Sequence, residues 1–452
     1  MTFLDDQKYI LSSNVAKDIY RSIKDLPLID LCNYLQINEI VNNKQFTDIW
    51  DLLASMEHDI WELMRRKCIS EEYITGNKTN KEKWRKLAEI FPSLAGNPGY
   101  ERMYLTLKRI LNIEESINMP NADRIWSKAH EELNKSAYYT NSLLEKNKAT
   151  ILCPVCDPVE DLKQLKTMKT DLKVLPIFSM NKLLDINAAN FIDYTNLLDN
   201  KFGTNSTHFI GFKESIEKAL DYFIENNCKT SNLEVFKPSF HRVDDLKAAY
   251  IYSKMIRHEY LTSIDIKEFQ SYMVYFIFEL FKTKNITVQL HIGSFKGYRR
   301  SLSEETVNNY SESITSNFID IANGLRELLN YFDGTLNIII CISDLSLLQS
   351  TLTIIRMFPN IYMGFPPLFN NSFTGIYNYL NYITSTDMLS NFAGFASNAR
   401  NATSIISNNE IFRRTLSQLI ADHVERSQIN ENDAIFIANE ICKNNPLRLI
   451  NV

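Results

Sequence analysis

From residue 150 to the C-terminus, short apolar runs alternate with long amphipathic segments, and no other feature limits the folds open to this chain as much. The runs fall at 150–155, 172–178, 207–212, 235–236, 287–292, 336–342, 361–365 and 389–396. Each is apolar on both faces and is followed by enough chain for a helix, the pattern of parallel strands buried between helices in βα units. A further run at 26–31 lies upstream, with Pro27 suited to a strand start. Nine runs are one too many for an eight-stranded barrel, so one of them is not a strand. The architecture expected is a distorted (β/α)8 TIM barrel.

Upstream of residue 150 the periodicity is helical. Residues 5–24 read as an entry helix before the first strand, and between 36 and 135 the chain reads as nearly continuous helix. Ile49, Leu53, Met56, Ile60 and Met64 recur at steps of three and four, as one face of an amphipathic helix requires. Gly96-Asn97-Pro98-Gly99 breaks this block, and Asn121-Ala122-Asp123 starts the helix that carries Trp126. Trp61, Trp84 and Trp126 are expected to pack these helices together. The expected organisation is a barrel from residues 1–35 and 136–452, with 36–135 as a helical insertion after strand one.

At 452 residues the chain can bury a large core. Its 45% hydrophobic and 23% charged residues are ordinary for a globular protein, and a net charge of -5 gives no reason to expect nucleic acid or an anionic membrane as partner. No basic start leads into an apolar stretch, and no run of about 18 apolar residues follows, so the expected location is cytoplasmic. Seven scattered cysteines do not form a disulfide framework and are expected as buried, reduced thiols.

The first strand ends in Asp30-Leu31-Cys32-Asn33-Tyr34, and alternate residues of a strand point the same way. Pro27-Leu28-Ile29-Asp30, together with Glu57-His58-Asp59-Ile60-Trp61-Glu62-Leu63-Met64-Arg65, Ile74-Thr75-Gly76, Glu82-Lys83-Trp84 and Gly96-Asn97-Pro98, resembles the uronate isomerases. So do Ile125-Trp126, Cys153 with Asp157-Pro158, Gln289-Leu290-His291-Ile292-Gly293, Arg400 and Glu410-Ile411-Phe412-Arg413-Arg414, in the same order along nearly the whole chain. That family is a branch of the amidohydrolase superfamily that interconverts glucuronate or galacturonate with the corresponding ketose acid. The resemblance implies a barrel of the metal-dependent hydrolase type, a metal at the C-terminal mouth, an open-chain sugar acid beside it and a homo-oligomer.

The same resemblance places substitutions at the metal. The family's strand-one His-x-His corresponds to Cys32 and Tyr34, and the Asp of its Thr-Asp-Ser-Arg motif to Asn398 in Ser397-Asn398-Ala399-Arg400. Thr-Thr-Asp-Asp-Pro becomes Pro154-Val155-Cys156-Asp157-Pro158, Arg-Pro-Asp becomes Ser179-Met180-Asn181, His-Tyr becomes His58-Asp59, Ser-Asp-His becomes Ser231-Asn232-Leu233, and the paired Trp becomes Pro367-Leu368. A thiol, a phenol and an amide bind a divalent ion poorly, so no metal cofactor is expected.

Moving a proton between adjacent carbons needs a positioned base, a proton shuttle and a group that stabilises an enediolate. Asp59, Asp157 and His291 are the candidate catalytic residues, and His58, Lys296 and Arg400 the candidates for holding a sugar acid or similar anion. Each also has a plainer reading: His291 as a hydrogen-bonded structural residue, Arg400 in an ion pair, Asp157 as a helix cap, and Lys296 with Arg299 and Arg300 as a solvated face. Cys32 and Cys156 are expected as neighbours, and Cys153-Pro154-Val155-Cys156 is formally a Cys-x-x-Cys, although a strand puts residues three apart on opposite faces. The expectation is a uronate isomerase-like protein that binds a sugar acid without isomerising it or acts as a structural partner. The rival is an isomerase that works without metal, an intramolecular oxidoreductase.

Overall fold

A computed structural model describes residues 3–135, 138–168, 170–296, 313–315, 321–366 and 371–452. Seven parallel strands form its centre: β1 (Leu28–Asn33), β2 (Ala149–Cys156), β3 (Ile177–Ser179), β4 (Thr230–Val235), β5 (Thr287–Ile292), β6 (Ile338–Ile342) and β7 (Ile361–Met363). They pair in chain order, and a two-residue strand, Lys173–Val174, adds to β2. β1, β5 and β6 are buried at every position, as strands covered on both faces must be.

The eighth stave is extended chain without a regular ladder. Met363 bridges Phe392, the Ala393 amide donates to the Met363 carbonyl at 2.8 Å, the Leu31 amide to Phe395 at 3.0 Å, and the Asn398 amide to Cys32 at 2.9 Å. Residues 392–399 therefore close the barrel between β7 and β1. The apolar run expected as a strand over 389–396 is instead a 3₁₀ turn, Leu389–Asn391, followed by this stave. Its ladder is interrupted where Gly394 takes φ +124° and Asn398 φ +51°. Any side chain at Gly394 would also meet the Ile441 carbonyl at 3.1 Å.

The surplus strand is 207–212, which lies at the start of the helix Phe209–Glu225. Asp199 decides this locally. Its carboxylate accepts from the Ser206 amide at 2.7 Å, the Thr204 hydroxyl at 2.8 Å and the Ser215 hydroxyl at 3.1 Å, tying the preceding loop to the first turns of that helix. Gly211 permits the fit, because a Cβ there would lie 1.7 Å from the Asn205 carbonyl oxygen. Gly211→Ala is expected to cost about 3 kcal/mol, the upper range for overpacking, read as a shift of the urea midpoint at constant m-value. The run at 235–236 is the last residue of β4 and the first beyond it; the polar residues Ser231 and Asn232 mask the rest of that strand in the sequence.

Between β1 and β2 the chain is helical, with principal helices Ile49–Leu53, His58–Arg66, Asn80–Ile90, Pro98–Leu111 and Ala122–Leu133. Asn97 accepts from the Gly99 amide at 3.0 Å and starts the fourth of these, so the Gly-Asn-Pro-Gly break is a cap. Trp61 and Trp84 are buried with their indole N–H groups on the Ala54 and Ala122 carbonyls, and Trp126 is half-buried. The helix Ala402–Glu425, buried over most of its length, joins this block to the barrel. From it Arg413 donates to the carbonyls of Lys24, Leu26 and Pro27, fixing the chain where it enters β1. No helix among the described residues is long and apolar enough to cross a membrane.

Candidate active site

The C-terminal ends of β1, β4 and the irregular stave meet at the barrel mouth, where barrel enzymes carry their chemistry. Underneath lies Asp30, fully buried. It accepts from the Ser397 hydroxyl at 2.6 Å, the Ser397 amide at 2.7 Å, the Asn33 side chain at 3.1 Å and the Cys32 amide at 3.4 Å. Burial, only partly offset by these donors, pushes its carboxyl up to about 7. The register of β1 slips between Asp30 and Asn33, which lets the Asp30 and Asn33 side chains meet.

Above this anchor, the Tyr34 phenol donates to the Glu234 carboxylate at 3.3 Å, and the Arg400 guanidinium carbon sits 4.9 Å from the centre of the Tyr34 ring. Cation–π attraction and a charge-assisted hydrogen bond thus hold Arg400, Tyr34 and Glu234 as one group. Arg400 makes no other hydrogen bond or ion pair among the described residues, so its N–H fork remains available. Burial and the neighbouring Glu234 carboxylate push the Tyr34 phenol well above its ordinary range, against the pull of Arg400. Burial, with Asp30 and the Cys341, Cys153 and Glu234 groups nearby, does the same to the Cys32 thiol.

His58, at the start of its helix, lies against Trp61 with ring centres 5.0 Å apart. Burial and the charges of Arg400 and Arg65 push its imidazole down to about 3, so it is neutral at physiological pH. Asp59, the next residue, is exposed and engaged by Arg102 at 3.3 Å, and Arg102 also holds buried Glu57 at 2.8 Å. Burial opposes the charge on Arg102, but the Glu57 and Asp59 carboxylates keep it protonated.

The remaining sequence candidates lie around this group. His291 is buried on β5, in register with Glu234 on one side and Cys341 on the other. Asp157 accepts from the Tyr194 hydroxyl at 2.9 Å and the Val159 amide at 3.0 Å, and pairs with Lys182 at 2.8 Å. No helix follows it directly, so it fastens the turn after β2 to neighbouring segments and does not cap a helix. Lys296 has its backbone in a short antiparallel pair, opposite Ser313; its side chain, Arg299, Arg300 and Pro367-Leu368 lie outside the described residues.

Cys32 and Cys156 do not face each other: the thiols near Cys32 are Cys341 and Cys153, whereas Cys156 faces Glu160 and Cys228. Every cysteine is a free thiol, and all but Cys68 are buried. Among the described residues no three His, Cys, Asp or Glu side chains converge in a way that holds a metal ion.

A sequence model of the family described as glucuronate isomerase matches residues 1–450. A uronate isomerase of Thermotoga petrophila is 35% identical over 446 residues, covering 98% of each chain. The chain belongs to the glucuronate isomerase family. The crystal structure of a uronate isomerase from Thermotoga maritima superimposes with a TM-score of 0.97 at 34% identity, covering 100% of both chains. A glucuronate isomerase from Caulobacter crescentus shares the fold at a TM-score of 0.92 and 17% identity, covering 100% of this chain and 97% of its own. In this member of the glucuronate isomerase family, sequence reasoning missed Asp30, Glu234 and the Glu57–Arg102 pair. Glu234 was hidden by the misplaced start of β4. Asp30 and Arg102 are revealed only by burial, for which a single sequence carries no signal beyond a charge inside an apolar run.

Proposed function

We propose that this glucuronate isomerase family member holds a sugar acid or similar carboxylate at the barrel mouth, without a resident divalent metal and without running the family's aldose–ketose isomerisation. The observation that carries this reading is the Arg400–Tyr34–Glu234 group. It puts a fixed, always-charged guanidinium where a divalent cation would have to sit beside it, and its N–H fork suits a carboxylate.

The donor set does not fit a metal. Burial raises both the Cys32 thiol and the Tyr34 phenol, which disfavours the anionic forms that a divalent ion needs as ligands. Asn398 contributes a neutral amide whose buried Oδ1 has no hydrogen-bond partner among the described residues. One neutral oxygen with a thiol and a phenol is a poor site for any common divalent ion.

Two of the three candidate bases are engaged elsewhere: Asp59 is held by Arg102 and Asp157 by Tyr194 and Lys182, while His291 lies buried on β5 between the Glu234 and Cys341 positions. We read residues 36–135 as an insertion into the barrel of 1–35 and 136–452, which the run of helices between β1 and β2 supports.

Isothermal titration with glucuronate and galacturonate tests the proposal. Binding to the wild type is expected, and Arg400→Gln should weaken it about tenfold or more, the loss of a charge-assisted pair. Conversion of either sugar acid by purified wild type would overturn the proposal, and conversion without added metal would favour the metal-independent isomerase through Asp59, Asp157 or His291.

A further inference from the structure

A cavity of about 640 Å³ opens at the C-terminal end of β4, between the segment that follows this strand and the helix Ser263–Lys284. Its size falls within the range of small-molecule sites, and it lies on the face of the barrel where such sites form. Buried Leu233, Phe240 and Val274 give it an apolar wall, and Phe236 is 40% exposed at its edge. Glu234 also lines it, so the cavity adjoins the mouth.

Glu234 is engaged by Tyr34, and the other charged residues of the lining are uncommitted among the described residues. Lys237 and Lys267 have no ion-pair partner among the described residues, and the Asp185 carboxylate accepts no hydrogen bond among them. Gln270 is likewise without a side-chain hydrogen bond there. Two exposed ammonium groups with no carboxylate partner among the described residues can take an anion. An unpaired carboxylate and a carboxamide call for hydrogen-bond donors, and an exposed phenyl ring suits a C–H face. A carboxylate, several hydroxyls and an apolar edge in one small molecule describe a polyhydroxy acid.

We propose that this lateral cavity is a second binding site for a polyhydroxy monocarboxylate of hexose size. Its carboxylate lies between Lys237 and Lys267, its hydroxyls on Asp185 and Gln270, and its C–H face on Phe236. The proposal rests on the reading of the chain as a sugar-acid binder, and it assigns that ligand a place separate from Arg400.

Titration calorimetry on the full chain tests it, with glucuronate as probe and glucose and serine as controls. Four proteins are compared: wild type, Lys237→Gln/Lys267→Gln, Ser239→Trp and Arg400→Gln. Ser239 is an exposed lining residue, so a Trp there blocks the cavity without disturbing the core. The expected result is a glucuronate site that survives Arg400→Gln and is weakened about tenfold or more by each cavity variant. Glucose should bind at least about tenfold more weakly, having no carboxylate for the lysines.

If Arg400→Gln removes all glucuronate binding and the cavity variants leave it intact, the lateral site is refuted while the mouth reading stands. If the cavity variants remove all binding and Arg400→Gln changes nothing, the lateral site stands and the mouth reading falls. Glucuronate binding absent from the wild type, or matched by serine, overturns the proposal.

Discussion

Asp30→Ala is expected to destabilise the protein by about 4 kcal/mol at pH 5, measured by urea unfolding. The substitution strands the Ser397 amide and hydroxyl and the Asn33 side chain in a fully buried place, and it cuts the side-chain tie between β1 and the eighth stave. The wild type should also show a distinctive pH dependence. Burial holds the Asp30 carboxyl at about 7 in the folded chain, against about 4 when unfolded. Between those values the folded state binds a proton that the unfolded state has released. The contribution is therefore fully present below about pH 4 and is lost as pH rises through about 7, on the order of 4 kcal/mol at most. Asp30→Asn cannot ionise, so its stability should be flatter than that of the wild type across this window. A wild-type stability that rose with pH over the same interval, relative to Asp30→Asn, would show that the donors around the carboxylate outweigh its burial.

Arg102→Met should cost about 3–5 kcal/mol. Arg102 and Glu57 are both buried, and their contact at 2.8 Å is the principal charge pairing within the helical block. Removing the cation leaves Glu57, among the described residues, with only the Ser404 hydroxyl at 2.7 Å, and releases Asp59. Breaking a buried pair from one side is more damaging than replacing both members, so Arg102→Met/Glu57→Gln should recover part of the loss. Equal denaturation midpoints for the single and double variants would mean that the unpaired carboxylate is not the cause.

The strand runs made the barrel legible because a strand covered on both faces must be apolar throughout, as β5 and β6 are. The same rule misled at 207–212, where an equally apolar run opens a helix. That outcome is fixed by Asp199 gathering the preceding hydroxyls and by a glycine close to a carbonyl. β4 was legible only at its end, since Ser231 and Asn232 are buried polar residues whose types imitate a loop. At the site, Arg400, His58 and the residues ending β1 could be named from the sequence. The grouping of Arg400 on Tyr34 and of Tyr34 on Glu234 could not, because residues 34 and 234 meet through the folding of distant strands. The pairing of Asp59 with Arg102 was hidden for the same reason.

Metal uptake tests most directly the central claim that the barrel mouth holds no divalent ion. Zinc or manganese is titrated into the wild type, into Cys32→Ala, and into the triple variant Cys32→His/Tyr34→His/Asn398→Asp, with bound metal counted after dialysis. The expected result is one equivalent bound by the triple variant, and wild-type uptake well below one equivalent and unchanged by Cys32→Ala. One tightly held equivalent on the wild type, lost in Cys32→Ala, would contradict it.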